Sequence, residues 1–381
     1  FADRASEKRK GGQQSLRRDK RERNFLAKRQ FGSGEEGAGA PPAPSSAVTP
    51  ETLQATFAAV LAPPLHDRAA ELCQLRQLLS ASPPLTLQAA VDCPGLMPLL
   101  QTASLLSDRP DVQIEATWCL TNLAAGSTEQ ARAVLGAAPQ LISLLASPDP
   151  ALAEQAAWAL GNIAGDSCSD FTQVLVANGL LLPMIALLAR GGETTALART
   201  AAWTLANVAR GLHQLSAAAS KSTPGSPAAA APDGSPPRQQ AALQRTLPFL
   251  QSGIIEAVNH LGQAVAAPAA AAAVAAGAGS AEAVVVLAAN QPSVDLLVDV
   301  CWLLSYLTAG ELESVEQLVT QASVPQLTVA MLQLLAPTAG AAGAMLPPPD
   351  ERLTPVLRVL GNTLWQSEAM SHAVLSVVTP A

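Results

Sequence analysis

With 381 residues the chain is long enough for two or three ordinary domains or for one elongated repeat array. Aromatics make up only 3% and strand-like runs such as AVVVL at 283–287 are short, so an all-helical array is favoured over sheet domains. The net charge of −7 is unevenly divided: residues 1–31 carry eleven Lys/Arg against four acids, leaving twelve bases against twenty-six acids elsewhere. A basic arm on an acidic body invites self-association of the arm or a basic partner for the body.

Within the arm, SLRRDKRERNFLAKRQ (15–30) has the composition of a segment that becomes helical on binding. Residues 32–50, GSGEEGAGAPPAPSSAVTP, form a flexible linker. From about 51 to 381 the pattern is apolar helix, short turn, apolar helix, with Gly126, Gly165 and Gly211 expected at helix C-termini. Three low-complexity stretches, at about 214–244, 264–282 and 336–350, read as insertions in or between repeats. The most apolar of them, Ala264 to Ala278, is nearly all alanine and contains Pro268 and Gly277, so it is not expected to cross a membrane. Five cysteines (73, 93, 119, 168, 301) form no C-x-x-C pair, and buried reduced thiols in a reducing compartment are expected.

The informative pattern is a ladder. Trp118 and Asn122, Trp158 and Asn162, and Trp203 and Asn207 share one spacing of four residues, and Trp302 is followed at that spacing by Tyr306. Four of five Trp and the sole Tyr therefore fall in one motif. A spacing of four puts both side chains on one helix face, and the motif recurs after 40 and then 45 residues. A period near 40 with several helices per unit is that of an armadillo or HEAT solenoid.

Core packing is the competing account of any single Trp. The Asn partners weigh against it, because a buried amide left unsatisfied costs about 1–3 kcal/mol. Asn can bond both groups of an extended backbone, and flat indoles can sandwich the stem of Lys or Arg. Glu115, Glu154, Asp166 and Asp299 lie near the ladder, and Asp166, just past a turn, is the best placed to meet a lysine ammonium. No catalytic constellation is present: the four His are isolated, and no G-x-x-x-x-G-K-[ST], G-x-S-x-G or H-E-x-x-H occurs. No enzyme activity, cofactor or metal site is expected. The arm lacks the interleaved aromatics of a single-strand binder, which argues against nucleic acid.

In order, QIEATWCLTNLAAGSTEQ, EQAAWALGNIAGDS, ARTAAWTLANVARG, DVCWLLSYLTAG and TPVLRVLGNTLW resemble the third helices of five successive importin-α repeats. The match includes Tyr306 in place of Asn, and Arg358 in place of Trp with Asn362 completing that rung. The resemblance implies a right-handed armadillo-repeat superhelical solenoid of about six repeats, preceded by a flexible basic arm. It implies a nuclear import adaptor, in cytoplasm and nucleus, that binds lysine/arginine-rich nuclear localisation signals and links cargo proteins to importin-β.

Its major signal site would comprise Trp118, Asn122, Gly126, Trp158, Asn162, Gly165, Asp166, Trp203, Asn207 and Arg210. Asp299, Trp302 and Tyr306 would extend the groove, and Arg358 and Asn362 would belong to a minor site. SLRRDKRERNFLAKRQF resembles the importin-β-binding segment, which assigns that contact to Arg17, Arg18, Lys20, Arg21, Arg23, Lys28 and Arg29. Ala131 stands where the family has Thr at the lysine pocket, and Ala27-Lys28-Arg29 replaces its Lys-Arg-Arg cluster. The chain stops near the start of a seventh repeat of that family, so its export-receptor-binding repeats are expected to be missing. The alternative is a divergent armadillo scaffold without transport activity.

Overall fold

A computed structural model describes residues 49–81, 84–190, 195–221, 245–266, 291–335 and 350–378. The basic arm and nearly all of the linker lie outside them, as does most of each low-complexity stretch. Where those stretches are described, they are regular: 214–221 continue a helix, 264–266 close a π turn, and Asp350 opens a helix.

The first helix, α1 (Pro50–Leu61), is capped by Thr49, whose hydroxyl accepts from the Thr52 amide at 3.3 Å. A 3-10 turn at Leu65–Asp67 leads to α2 (Ala69–Ala81). Then follow α3 (Pro84–Asp92), α4 (Leu96–Ala103) and α5 (Pro110–Ala124). The next unit is α6 (Thr128–Leu135), α7 (Ala138–Leu144) and α8 (Pro150–Ala164). The third is α9 (Asp170–Ala177), α10 (Leu181–Ala189) and α11 (Thr195–Lys221). The fourth is α12 (Leu247–Gln251), α13 (Ile254–Leu261, then the π turn Gly262–Ala266) and α14 (Gln291–Leu307). The last are α15 (Leu312–Gln321), α16 (Val324–Leu335), α17 (Asp350–Gln366) and α18 (Glu368–Val378).

Local chemistry sets these boundaries. Pro110 and Pro150 open α5 and α8 at a position where a missing amide hydrogen costs nothing. Asp149 caps α8 by accepting from the Ala151 amide at 2.9 Å. Ser127 and Gln130 close a reciprocal capping box on α6. Between the two short helices of three units the chain turns on a left-handed glycine: Gly95, Gly179 and Gly253, with φ of 82°, 83° and 88°.

The long third helices α2, α5, α8, α11, α14 and α17 pack against one another in series, with the shorter helices behind them. Leu and Ala fill the seams; Leu120, Leu123, Leu141, Leu160, Ile163 and Leu205 are fully buried. Cys119 and Cys301 are buried free thiols in these seams, and burial pushes the Cys301 thiol up to about 12, far from its reactive form.

Gly211 does not end a helix. It lies inside α11, where a Cβ would collide with the Thr172 side chain of α9; its role is close approach rather than capping. Gly161 in α8 does the same for Trp203 and Thr204 of α11. The expected Gly termini do hold at α5, which stops two residues before Gly126, and at α8, capped by Gly165.

These contacts make a paired prediction. Gly161→Ala overpacks the α8–α11 seam and destabilises the chain by about 1–3 kcal/mol. Gly361→Ala, in α17 with open space around its Cα, is stabilising by up to about 1 kcal/mol. Urea-unfolding midpoints of the two variants should move in opposite directions.

Candidate peptide-binding groove

The serial packing of third helices brings the predicted rungs onto one shared face. Asn122 and Asn162 are buried, at 3% and 7% exposure, while Trp118, Trp203, Asn207, Trp302, Tyr306, Arg358 and Asn362 are half-buried. Trp158 is 9% exposed. The fifth indole, Trp365, is outside the ladder and 89% exposed.

Each Asn has a structural task that its spacing did not disclose. Nδ2 of Asn162 donates to the Thr121 carbonyl at 3.2 Å, that of Asn207 to the Gly161 carbonyl at 3.2 Å, and that of Asn362 to the Ser305 carbonyl at 3.1 Å. In every case the acceptor is the residue immediately before the rung position on the preceding long helix. Asn122 donates to Ser80 Oγ at 2.9 Å and, more weakly, to the Arg76 carbonyl at 3.5 Å. A buried amide therefore does not by itself require a ligand, because its nitrogen stitches adjacent repeats. For Asn122, Asn162 and Asn362, Oδ1 takes no hydrogen bond from the described residues and remains an acceptor for an added chain.

Asp166 is 6% exposed and sits one residue past the α8 cap. Its carboxylate accepts from Thr128 Oγ1 (3.0 and 3.2 Å), from the Cys168 amide (2.8 Å) and from Ser167 Oγ (3.3 Å). No cation among the described residues pairs with it. Ala131, where the importin-α resemblance leads one to expect Thr, is fully buried, and the hydroxyl that meets Asp166 is that of Thr128 on the same helix. Asp299 differs: Arg199 Nε donates to it at 3.0 Å, and the same guanidinium reaches Asp295 at 3.4 Å, which Arg352 also approaches at 3.6 Å. Arg210 donates to the Gly165 carbonyl at 3.0 Å and to Asn207 Oδ1 at 3.3 Å, tying the end of α8 to α11. Glu154 accepts from Thr200 Oγ1 at 3.1 Å.

The ladder has a member that a search for Trp misses. On α2, Arg76 and Ser80 have the same spacing of four and stand in register with Trp118 and Asn122. The set thus begins with Arg76/Ser80 and ends with Arg358/Asn362. Arg76 lies 4.4 Å from the centroid of Trp118, and Arg358 lies 5.7 Å from Trp302 and 5.1 Å from Tyr306. The seven basic residues assigned to the importin-β contact, from Arg17 to Arg29, lie outside the described residues.

A family model described as Armadillo/beta-catenin-like repeat matches residues 87–125 and 127–165. Among solved structures, a designed armadillo repeat protein is similar with a TM-score of 0.53 and 16% identity, over 81% of this chain and 99% of its own. An engineered protein is similar with a TM-score of 0.54 and 18% identity, over 81% and 95%.

The chain is an armadillo-repeat solenoid.

Its likeness to importin-α runs along nearly all of it. Importin subunit alpha-1a of Oryza sativa subsp. japonica is 28% identical over 98% of the chain and 57% of that relative. Importin subunit alpha-2 of Arabidopsis thaliana is 28% identical over 87% and 52%, and importin subunit alpha-9 of the same plant is 40% identical over 40% and 29%. The chain spans about half the length of the curated relatives it matches.

Behind the Tyr306 rung, this armadillo chain holds a neutral histidine. His213 Nε2 donates to the Tyr306 carbonyl at 2.7 Å, while Nδ1 faces Arg245, which Glu311 pairs at 3.2 Å. Burial lowers the His213 pKa below its ordinary 6.5, and the nearby Arg245 and Arg358 charges lower it further. The unfolded chain then binds the proton more readily, so this contribution is whole above about pH 6.5 and is lost as pH falls through the folded value. Thermal midpoints should fall on acidification from about pH 7 to pH 5, and His213→Gln should flatten that part of the profile.

Proposed function

We propose that the chain is a nuclear import adaptor whose Trp/Asn face binds lysine/arginine-rich nuclear localisation signals and whose basic arm links the cargo to importin-β. The observation that carries this reading is the buried Asp166 carboxylate. It is held by hydroxyl and amide donors, without a cationic partner among the described residues, four residues past Asn162 at the end of α8. A ligand lysine would complete its charge balance, the Asn oxygens would take the amides of an extended backbone, and the indoles would flank the lysine stems. No bond is made or broken.

Two likenesses support the reading. The curated relatives are named as importin alpha subunits. A designed armadillo repeat protein with a TM-score of 0.50, 18% identical over 81% of this chain and 98% of its own, is in complex with the peptide (KR)4. Shuttling between cytoplasm and nucleus follows from the same role.

A second reading, an armadillo scaffold that binds another extended ligand without transport, is favoured by one feature. Asp299, which would extend the groove for cations, is already neutralised by Arg199.

The adaptor reading predicts that a lysine-rich signal peptide binds the full chain in fluorescence anisotropy and that raising salt weakens it. Asp166→Lys should reduce that affinity by about 30-fold or more, because truncation of a buried charge pair costs about 2–5 kcal/mol. Recovery of importin-β by the basic arm in a pull-down would separate adaptor from scaffold; its absence would favour the scaffold.

A further inference from the structure

The Trp118 rung of the ladder is already filled. Arg76 extends from α2 across to α5, where its guanidinium carbon stands 4.4 Å from the Trp118 ring centroid. Nε of the same group donates to Glu115 at 2.6 Å, one turn before Trp118 on the same helix. The stem is packed, with the two side chains only 21% and 18% exposed, and Cys73 Sγ lies 3.4 Å from the guanidinium. A cation stacked on an indole and paired to a carboxylate is the arrangement this face would offer a ligand's lysine or arginine.

We infer that Arg76 is an intramolecular substitute for a ligand cation, which closes the Trp118 rung and makes Arg76 a specificity-determining residue. The inference rests on the proposed peptide-binding groove. Its consequence is a shift of register: cation recognition starts at the Asp166 pocket, and the part of the peptide over Trp118 is not selected for positive charge. A lysine brought to Trp118 would have to displace a half-buried guanidinium from both its ring and its carboxylate, and would gain only what Arg76 loses.

The contrast with Asp166 makes the assignment specific. Both acids lie on the ladder side, both are largely withdrawn from water, and only Glu115 has a basic partner among the described residues. Removing Arg76 should therefore convert a closed rung into an open one with its acid intact.

The test uses the full 381-residue chain and a labelled (Lys-Arg)4 peptide in fluorescence anisotropy. Arg76→Ala should bind about threefold to tenfold more tightly than the parent chain, the gain of one cation–π and ion-pair slot. Arg76→Met, which keeps the stem's packing while releasing Glu115, should also bind more tightly and guards against a loss of fold in the alanine variant. Adding Glu115→Gln to Arg76→Ala should cancel the gain, an outcome that simple loosening of the α2–α5 seam does not produce. Asp166→Asn is the reference for the groove itself. Unchanged or weaker binding by both Arg76 variants, beside a weakened Asp166→Asn, overturns this inference and leaves the groove reading standing. A parent chain that binds no peptide overturns both.

Discussion

The stitch between side-chain amides and the backbone of the neighbouring repeat is the contact on which the rest of this solenoid depends. A helical carbonyl already accepts one bond along its own axis and has a second lone pair to give. Asn162, Asn207 and Asn362 use that second lone pair on the preceding long helix, always at the position just before its rung. Adjacent long helices are thereby fixed in rotation as well as in distance. Hydrophobic burial alone, being non-directional, would not do this. The indoles follow: Trp203 lies over Gly161, one residue from Asn162, and fits because that position has no side chain.

Much of this was legible in the chain, and the misses share a cause. The four-residue spacing gave the helix face, the 40–45-residue recurrence gave the repeat, and Tyr306 and Arg358 gave the family likeness. What each Asn bonds was not legible, because the acceptors are backbone atoms 41 to 57 residues earlier, set by the offset between helices. Gly211 carries the same composition signal whether it ends a helix or lets two helices touch, and only the position of Thr172 decides. Arg76 and Ser80 escaped notice because the motif was defined by its aromatic rather than by its spacing. The three left-handed glycines before α4, α10 and α13 were visible as a recurrent Gly ahead of an apolar run and could have divided the units from sequence alone.

Three of the four acids near the ladder are different objects. Glu115 is closed by Arg76, Asp299 is drawn into a network that joins α11, α14 and α17, and Asp166 is surrounded by uncharged donors. The formal charge of the body therefore overstates what the face presents to a partner. Asp166, buried and held by hydroxyl and amide donors, sits where low dielectric surroundings strengthen any charge-assisted bond.

Trp203 and Trp302 are 99 residues apart, against 45 for the preceding pair, yet their helices pack as directly as any other neighbours. Closure entropy grows only logarithmically with length, so doubling the intervening chain costs about 0.6 kcal/mol. Where they are described, the three low-complexity stretches fall at helix ends: 214–221 finish α11, 264–266 close the π turn after α13, and Asp350 opens α17. Such a chain can gain or lose dozens of residues at its joints without moving a rung. The distance between rungs is thus set by helix packing, and the connecting sequence is left free to vary.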